Sequence, residues 1–140
     1  NAPRVTNQKS SILPSIEIVD SRFNDWTKIG VSNLIADNGV NAFWVHGKKN
    51  FNIDQINLNN HSVKLFINGK IFKKGNSKNV LNNPINSIKW LLNTLAKQKK
   101  ILPKNHFIST GSCTPAIPIK RGSHICADFG ILGSVKIKFI

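Results

Sequence analysis

The chain has 140 residues and a mass of 15.6 kDa, is 40% hydrophobic, and carries a formal charge of +14 at pH 7. That length suits one domain with a single core, and no apolar run approaches the roughly 20 residues of a membrane-spanning helix. So basic a chain attracts polyanions or acidic partners. Yet seventeen of its twenty basic residues are lysines spread along the sequence, with no ladder of aromatics between them, the pattern of a solvated basic surface.

In chain order, residues 1–11 are polar and read as an arm, leaving 12–140 as the domain. Residues 12–19 read as a buried-type strand that ends at the Asp20-Ser21-Arg22 turn. Residues 24–42 are polar and rich in Gly and Asn, with Asp37-Asn38-Gly39 as a strong turn signal. Phe43-Trp44-Val45 follows as a short strand. Val63, Leu65 and Ile67 alternate with polar neighbours, and Asn68-Gly69 before Ile71 and Phe72 predicts a hairpin.

One convincing helix is predicted over about 84–100. Asn83 caps it, Pro84 suits its first turn, and Ile85, Ile88, Leu91, Leu92 and Leu95 recur at helical spacing. Lys97, Lys99 and Lys100 oppose the macrodipole at its C-terminal end, and Pro103 closes it. Strands are then expected at 107–109, 116–119, 124–129 and 134–140. In the last, Val135, Ile137 and Phe139 alternate with Lys136 and Lys138. The fold class is α+β, mostly β, with one main helix.

Glu17 is the only glutamate, in the run Ile16-Glu17-Ile18-Val19-Asp20-Ser21-Arg22. A carboxylate buried between isoleucines must be paired, protonated or bound to a cation. A Glu–Arg or Asp–Arg pair that fixes a loop satisfies this, and so does a hard cation held by oxygen donors. Cys113 and Cys126 lack metal-type spacing and make no disulfide framework. His46, His61, His106 and His124 are scattered without a zinc pattern. A reducing, intracellular compartment, cytoplasm or organelle matrix, is expected. Asn at position 1 implies that something upstream was removed or left out.

Five stretches in unbroken order resemble the 2-keto-4-pentenoate hydratase family, within the fumarylacetoacetate hydrolase superfamily. They run from Pro14 to Phe23, Leu34 to Asn41, Gly75 to Pro84, Thr110 to Pro118 and Ala127 to Val135, with Trp90-Leu91-Leu92 on the intervening helix. The resemblance implies a mixed β-sandwich roll of the superfamily's C-terminal type. It implies hydration of 2-hydroxy-2,4-dienoates, or decarboxylation of related 2-oxo diacids, around Mg²⁺ or Mn²⁺ held by three carboxylates. Glu17 matches the last of the three. Asp37, Asn38 and Asn41 match a loop beside the substrate, where Val40 and Asn41 differ from the commonest family form. Thr110, Gly111 and Ser112 match a turn able to bind substrate oxygens. Read without the family, Asp37 to Gly39 is a turn, Thr110 to Thr114 a strand-end loop, and Asp20–Arg22 a brace.

In the family the other two metal carboxylates form a Glu-x-Glu pair upstream of the segment matching Pro14, and the lysine and aspartate assigned to proton transfer also lie upstream. Here thirteen residues precede Pro14 and none is acidic. Three readings follow. The chain is the C-terminal half of an enzyme completed by a missing segment or partner chain, with a homo-oligomer also in view. Alternatively, it is a basic, non-catalytic relative acting as a structural subunit beside RNA, as in an organellar ribosome. Or its charge serves to attract a dianionic substrate. No membrane partner is expected.

Overall fold

The computed structural model describes residues 11–48 and 51–140. The polar arm, apart from Ser11, therefore lies outside the described residues. The chain is α+β, with two α-helices and antiparallel ladders throughout the described residues.

The run read as one strand over 12–19 is two strands, β1 (Ser11–Ile12) and β2 (Ser15–Val19). Pro14 separates them because it has no N–H to give a ladder. Its ring is fully buried, its carbonyl accepts from the Gly47 N–H at 2.8 Å, and a Cβ at Gly47 would stand 2.9 Å from its Cγ. β2 pairs with β3 (Asn41–His46), Glu17 opposite Trp44, with a register shift between Ile18 and Val19. β1 pairs with β4 (Phe51–Asn52).

Residues 24–42, expected to be irregular, contain a 3₁₀ turn (Trp26–Lys28) and helix α1 (Gly30–Ala36). Val31 and Ile35 fall one helical turn apart, but both are more than 70% exposed, so α1 buries no apolar stripe. Seven residues hold a single Val31, Leu34, Ile35 repeat, too short for a periodic signal.

The second sheet has the order β6-β5-β7-β8, from β5 (Ser62–Ile67), β6 (Lys70–Asn76), β7 (His124–Asp128) and β8 (Ser134–Lys138). The predicted hairpin is present. Asn68 and Gly69 take φ of 49° and 79°, the left-handed pair that a two-residue turn matched to strand twist requires. Val63, Leu65, Ile125, Ala127 and Val135 form the buried face, and Ile16 from β2 packs against Leu65, Ile125 and Ala127.

Helix α2 spans Pro84–Lys97, three residues shorter at its end than predicted. Asn83 caps it, its side chain accepting from the Ile85 N–H at 2.9 Å. It stops because Lys99 turns left-handed at φ 56°, with Lys99 N–H on the Ala96 carbonyl and Lys100 N–H on the Leu95 carbonyl. This is a Schellman closure built on lysine instead of the usual glycine, so the stop carried no sequence mark.

The strands expected at 107–109 and 116–119 are absent. Pro115 and Pro118 remove ladder donors, and the segment instead packs Ile117 and Ile119 against the Leu65 cluster. It crosses β6 so closely that a Cβ on Gly75 would lie 2.3 Å from the Cys113 carbonyl oxygen. Gly75→Ala is accordingly expected to lose about 1–3 kcal/mol of stability through overpacking. Urea unfolding monitored by tryptophan fluorescence checks this; an unchanged midpoint contradicts the close approach.

Candidate functional site

Glu17 is exposed, because strand alternation sends Ile16 to the core and Glu17 the other way. The expectation of a carboxylate buried between isoleucines is therefore corrected: no burial cost demands a partner. It nonetheless has one, since the Asn41 amide Nδ2 donates to Glu17 Oε1 at 2.8 Å across the β2–β3 pair. Among the predicted site residues, hydrogen bonds thus join Glu17 to Asn41 and, through the Asn41 carbonyl, Asn38 to Asn41.

The turn that delivers Asn41 is strained. Asn38, Gly39 and Val40 all have φ between 55° and 61°, and a β-branched residue such as Val40 rarely adopts that conformation. Such a residue costs of order 1–2 kcal/mol. Val40 is buried, its N–H bonds the Asp37 carbonyl, and its carbonyl accepts from the Asp20 N–H, both at 2.9 Å. Burial of the valine side chain offsets the strain, at about 1.5–3 kcal/mol.

Asp37 anchors this turn. It is 2% exposed. One carboxylate oxygen accepts from Ser21 Oγ at 2.6 Å and from the Arg22 N–H at 3.3 Å. The other faces Arg22 Nε at 3.0 Å, an ionic contact without hydrogen-bond alignment. The Asp–Arg brace is thus Asp37–Arg22, whereas the sequence suggested Asp20, whose own carboxylate instead accepts from the Ser21 N–H at 2.9 Å. Neither Asp37 nor Asn38 lines the large cleft described next; Asn38 Nδ2 donates to the Asn41 carbonyl at 3.2 Å.

That cleft, of about 1550 Å³, is lined by Glu17, Trp44, the apolar stripe of α2, and the irregular segment following α2. Thr110, Gly111 and Ser112 are on its wall. Gly111, at φ 129°, lies so near Val80 that a Cβ would come within 2.9 Å of Val80 Cγ1, and Ser87 Oγ on α2 donates to the Thr110 carbonyl at 2.7 Å. Cys113 follows, its carbonyl accepting from Asn76 N–H and Asn79 Nδ2, and burial pushes its thiol up from the ordinary range. Both cysteines are free thiols.

Sequence reasoning missed the aromatic part of this wall. Trp44 stands 5.2 Å from His46 and 5.0 Å from Phe107, ring centre to ring centre, and His46 stacks on Phe107. Trp44 and His46 share a strand face two residues apart, a spacing visible in the sequence; Phe107 joins them only through tertiary folding. Trp44 Nε1 is buried with no hydrogen-bond partner among the described residues. Trp44 sits opposite Glu17 in the ladder, so this unpaired donor belongs to the same strand pair as the carboxylate.

Among the described residues no three His, Cys, Asp or Glu side chains come together to hold a metal ion. One carboxylate and one amide have the right hard-oxygen chemistry but do not make a divalent-ion site alone. Removing the Asp37 carboxylate should loosen the Glu17–Asn41 pair by freeing the turn. Asp37→Ala is expected to cost about 1–3 kcal/mol, because Ser21 and the Arg22 N–H lose their acceptor. Chemical denaturation measures the loss, and wild-type stability would show that the brace contributes nothing.

No protein-family model matches the chain. It is 30% identical over 129 residues to 4-oxalocrotonate decarboxylase of Pseudomonas putida, covering 92% of this chain and 48% of that protein. It is 32% identical over 127 residues to 2-keto-4-pentenoate hydratase of Paraburkholderia phymatum, covering 91% and 48%. The solved structure of 4-oxalocrotonate decarboxylase from Pseudomonas putida G7, complexed with magnesium and adipate, superimposes with a TM-score of 0.84 at 30% identity, over 91% of this chain and 48% of that one. The chain thus spans about half the length of the curated relatives it matches. Over that half, the expected resemblance to the 2-keto-4-pentenoate hydratase family is borne out.

Proposed function

We propose that this chain forms one half of a lyase site, in a roll of the fumarylacetoacetate hydrolase C-terminal type. The site hydrates a 2-hydroxy-2,4-dienoate or decarboxylates a related 2-oxo diacid. The observation that carries this reading is the sole glutamate, Glu17, held by Asn41 on the wall of an apolar cleft. In the proposal Glu17 is one ligand of Mg²⁺ or Mn²⁺. The remaining ligands and the proton-transfer groups come from outside the described residues, on a further segment or a partner chain.

The chain's own residues have separable tasks. The Thr110 and Ser112 hydroxyls and the backbone around Gly111 bind substrate oxygens. Trp44, Phe107 and the α2 stripe offer an apolar wall to a conjugated carbon chain and exclude water from it. Asn41 orients the Glu17 carboxylate, while Asp37 and Asn38 act on it only through the turn that carries Asn41.

The exposed surface supports the need for a completing part. The chain presents 10627 Å². A compact monomer of 15.6 kDa presents roughly 7200 Å². Setting aside about 1900 Å² for the twelve residues outside the description leaves some 1500 Å² of extra surface. Val31, Ile35, Phe43 and Trp90, each about two-thirds exposed or more, belong to it.

Recovered from its native source with any polypeptide that accompanies it, the protein is expected to consume 2-hydroxy-2,4-pentadienoate in the presence of Mg²⁺, read as loss of diene absorbance. Asn41→Ala should lower metal affinity or turnover by about 10–100-fold, the usual effect of removing a group that orients a ligand. Glu17→Gln should lower both further. Unchanged metal affinity in Glu17→Gln would overturn the ligand assignment.

A further inference from the structure

The four-stranded sheet has a second face, opposite Leu65 and Ile125, on which four lysines outnumber one acid. Reading across the strands, Lys74 on β6 lies directly opposite Lys64 on β5, and Lys64 lies opposite Asp128 on β7. Two residues along, Ile71, Phe66, Cys126 and Lys136 form the next row, and His124 opposite Lys138 begins the last. All four lysines are exposed. The single acid of these rows, Asp128, accepts from the Gly130 N–H at 2.9 Å.

Like charges directly opposite each other destabilise a ladder. Asp128, opposite Lys64, is the one acid of these rows that offsets them, and among the described residues the ion pairs, Arg22–Asp37 and Lys28–Asp25, lie elsewhere. The centre of the face is apolar, not merely solvated. Phe66 is half-buried there, and Ile71 beside it is 52% exposed. At the β6 edge, the register shift between Leu65 and Phe66 leaves Phe72 unpaired and half-exposed, with Lys73 Nζ 5.9 Å from its ring centre.

We infer that this face of the β6-β5-β7-β8 sheet binds single-stranded nucleic acid, with Lys64, Lys74, Lys136 and Lys138 on phosphates and Phe66 and Phe72 against bases. Charge complementarity requires a polyanion. A flat, open strand surface with exposed aromatics receives splayed bases, whereas duplex grooves are read by a protruding helix or ribbon that this face lacks. Acidic peptides would satisfy the lysines but offer no bases to stack on the aromatic rings.

The test is fluorescence anisotropy of a labelled 15-nucleotide oligouridine with the full 140-residue chain between 50 and 200 mM salt. Four phosphate contacts on a single strand predict a log–log salt slope of about −2.8, so affinity falls about 50-fold over that range. Replacing Lys64, Lys74, Lys136 and Lys138 together by Gln should weaken binding at least 20-fold at 50 mM salt and flatten the slope. A charge-matched control with Lys89, Lys97, Lys120 and Arg121 replaced by Gln should stay within about threefold of the parent; circular dichroism verifies that both variants are folded. Phe72→Ala should weaken oligouridine binding about fivefold or more and leave heparin binding unchanged. Equal losses in the two quadruple variants would overturn the proposal in favour of general surface charge. Tighter binding to duplex RNA, to phosphatidylserine vesicles or to polyglutamate than to oligouridine would overturn it as well.

Discussion

The site depends on one buried carboxylate that stands off the cleft wall. Asp37 ties the turn after β2 to the turn before β3, through Ser21, the Arg22 backbone and the Arg22 guanidinium. A bare carboxylate at that depth would be prohibitively costly; three polar contacts make it tolerable. Its backbone carbonyl also receives Val40, the buried valine in a left-handed conformation. Strain, brace and hydrogen bonds together set where Asn41 begins β3, and Asn41 holds Glu17. The geometry of the candidate ligand is therefore inherited from a residue that does not line the cleft.

The second constraint is a thin core. Helix α2 turns Ile85, Ile88, Leu92 and Leu95 toward the cleft, yet of its fourteen residues Pro84 alone is buried. The irregular segment after it is pinned by close contacts, Cys113 over Gly75 and Gly111 against Val80, more than by extensive burial. Such contacts fix position without supplying much hydrophobic stabilisation. An architecture of this kind gains most from further protein packed on its apolar surface, consistent with relatives about twice its length. The lysine-bearing sheet face is a separate matter, since its buried side is already filled by Val63, Leu65 and Val135.

Local chemistry made much of the fold legible. Asn68-Gly69 dictated a left-handed turn, Asn83-Pro84 a helix start, and the alternation in β8 a half-buried strand. Legibility failed where tertiary contacts decided. Lys99 ended α2 without a glycine, α1 left its Val31 and Ile35 face unburied, and the segments expected as strands at 107–109 and 116–119, the second interrupted by Pro118, packed as irregular chain. The site divides similarly. Glu17 stood out as the only glutamate, but its burial was misjudged because neighbouring isoleucines in a strand point away from it. Asp37 and Arg22 are fifteen residues apart, and nothing local signals their pairing over Asp20–Arg22. The Trp44–Phe107 contact joins residues from opposite halves of the chain, beyond any periodicity argument.

The central claim is that Glu17 belongs to a metal site that this stretch of chain does not complete. Calorimetric titration of Mg²⁺ into the 140-residue protein tests it most directly. The account predicts no binding tighter than about 1 mM, since one carboxylate leaves the ion mostly hydrated. Stoichiometric micromolar binding by the chain alone would contradict it and show that the site is whole without a partner.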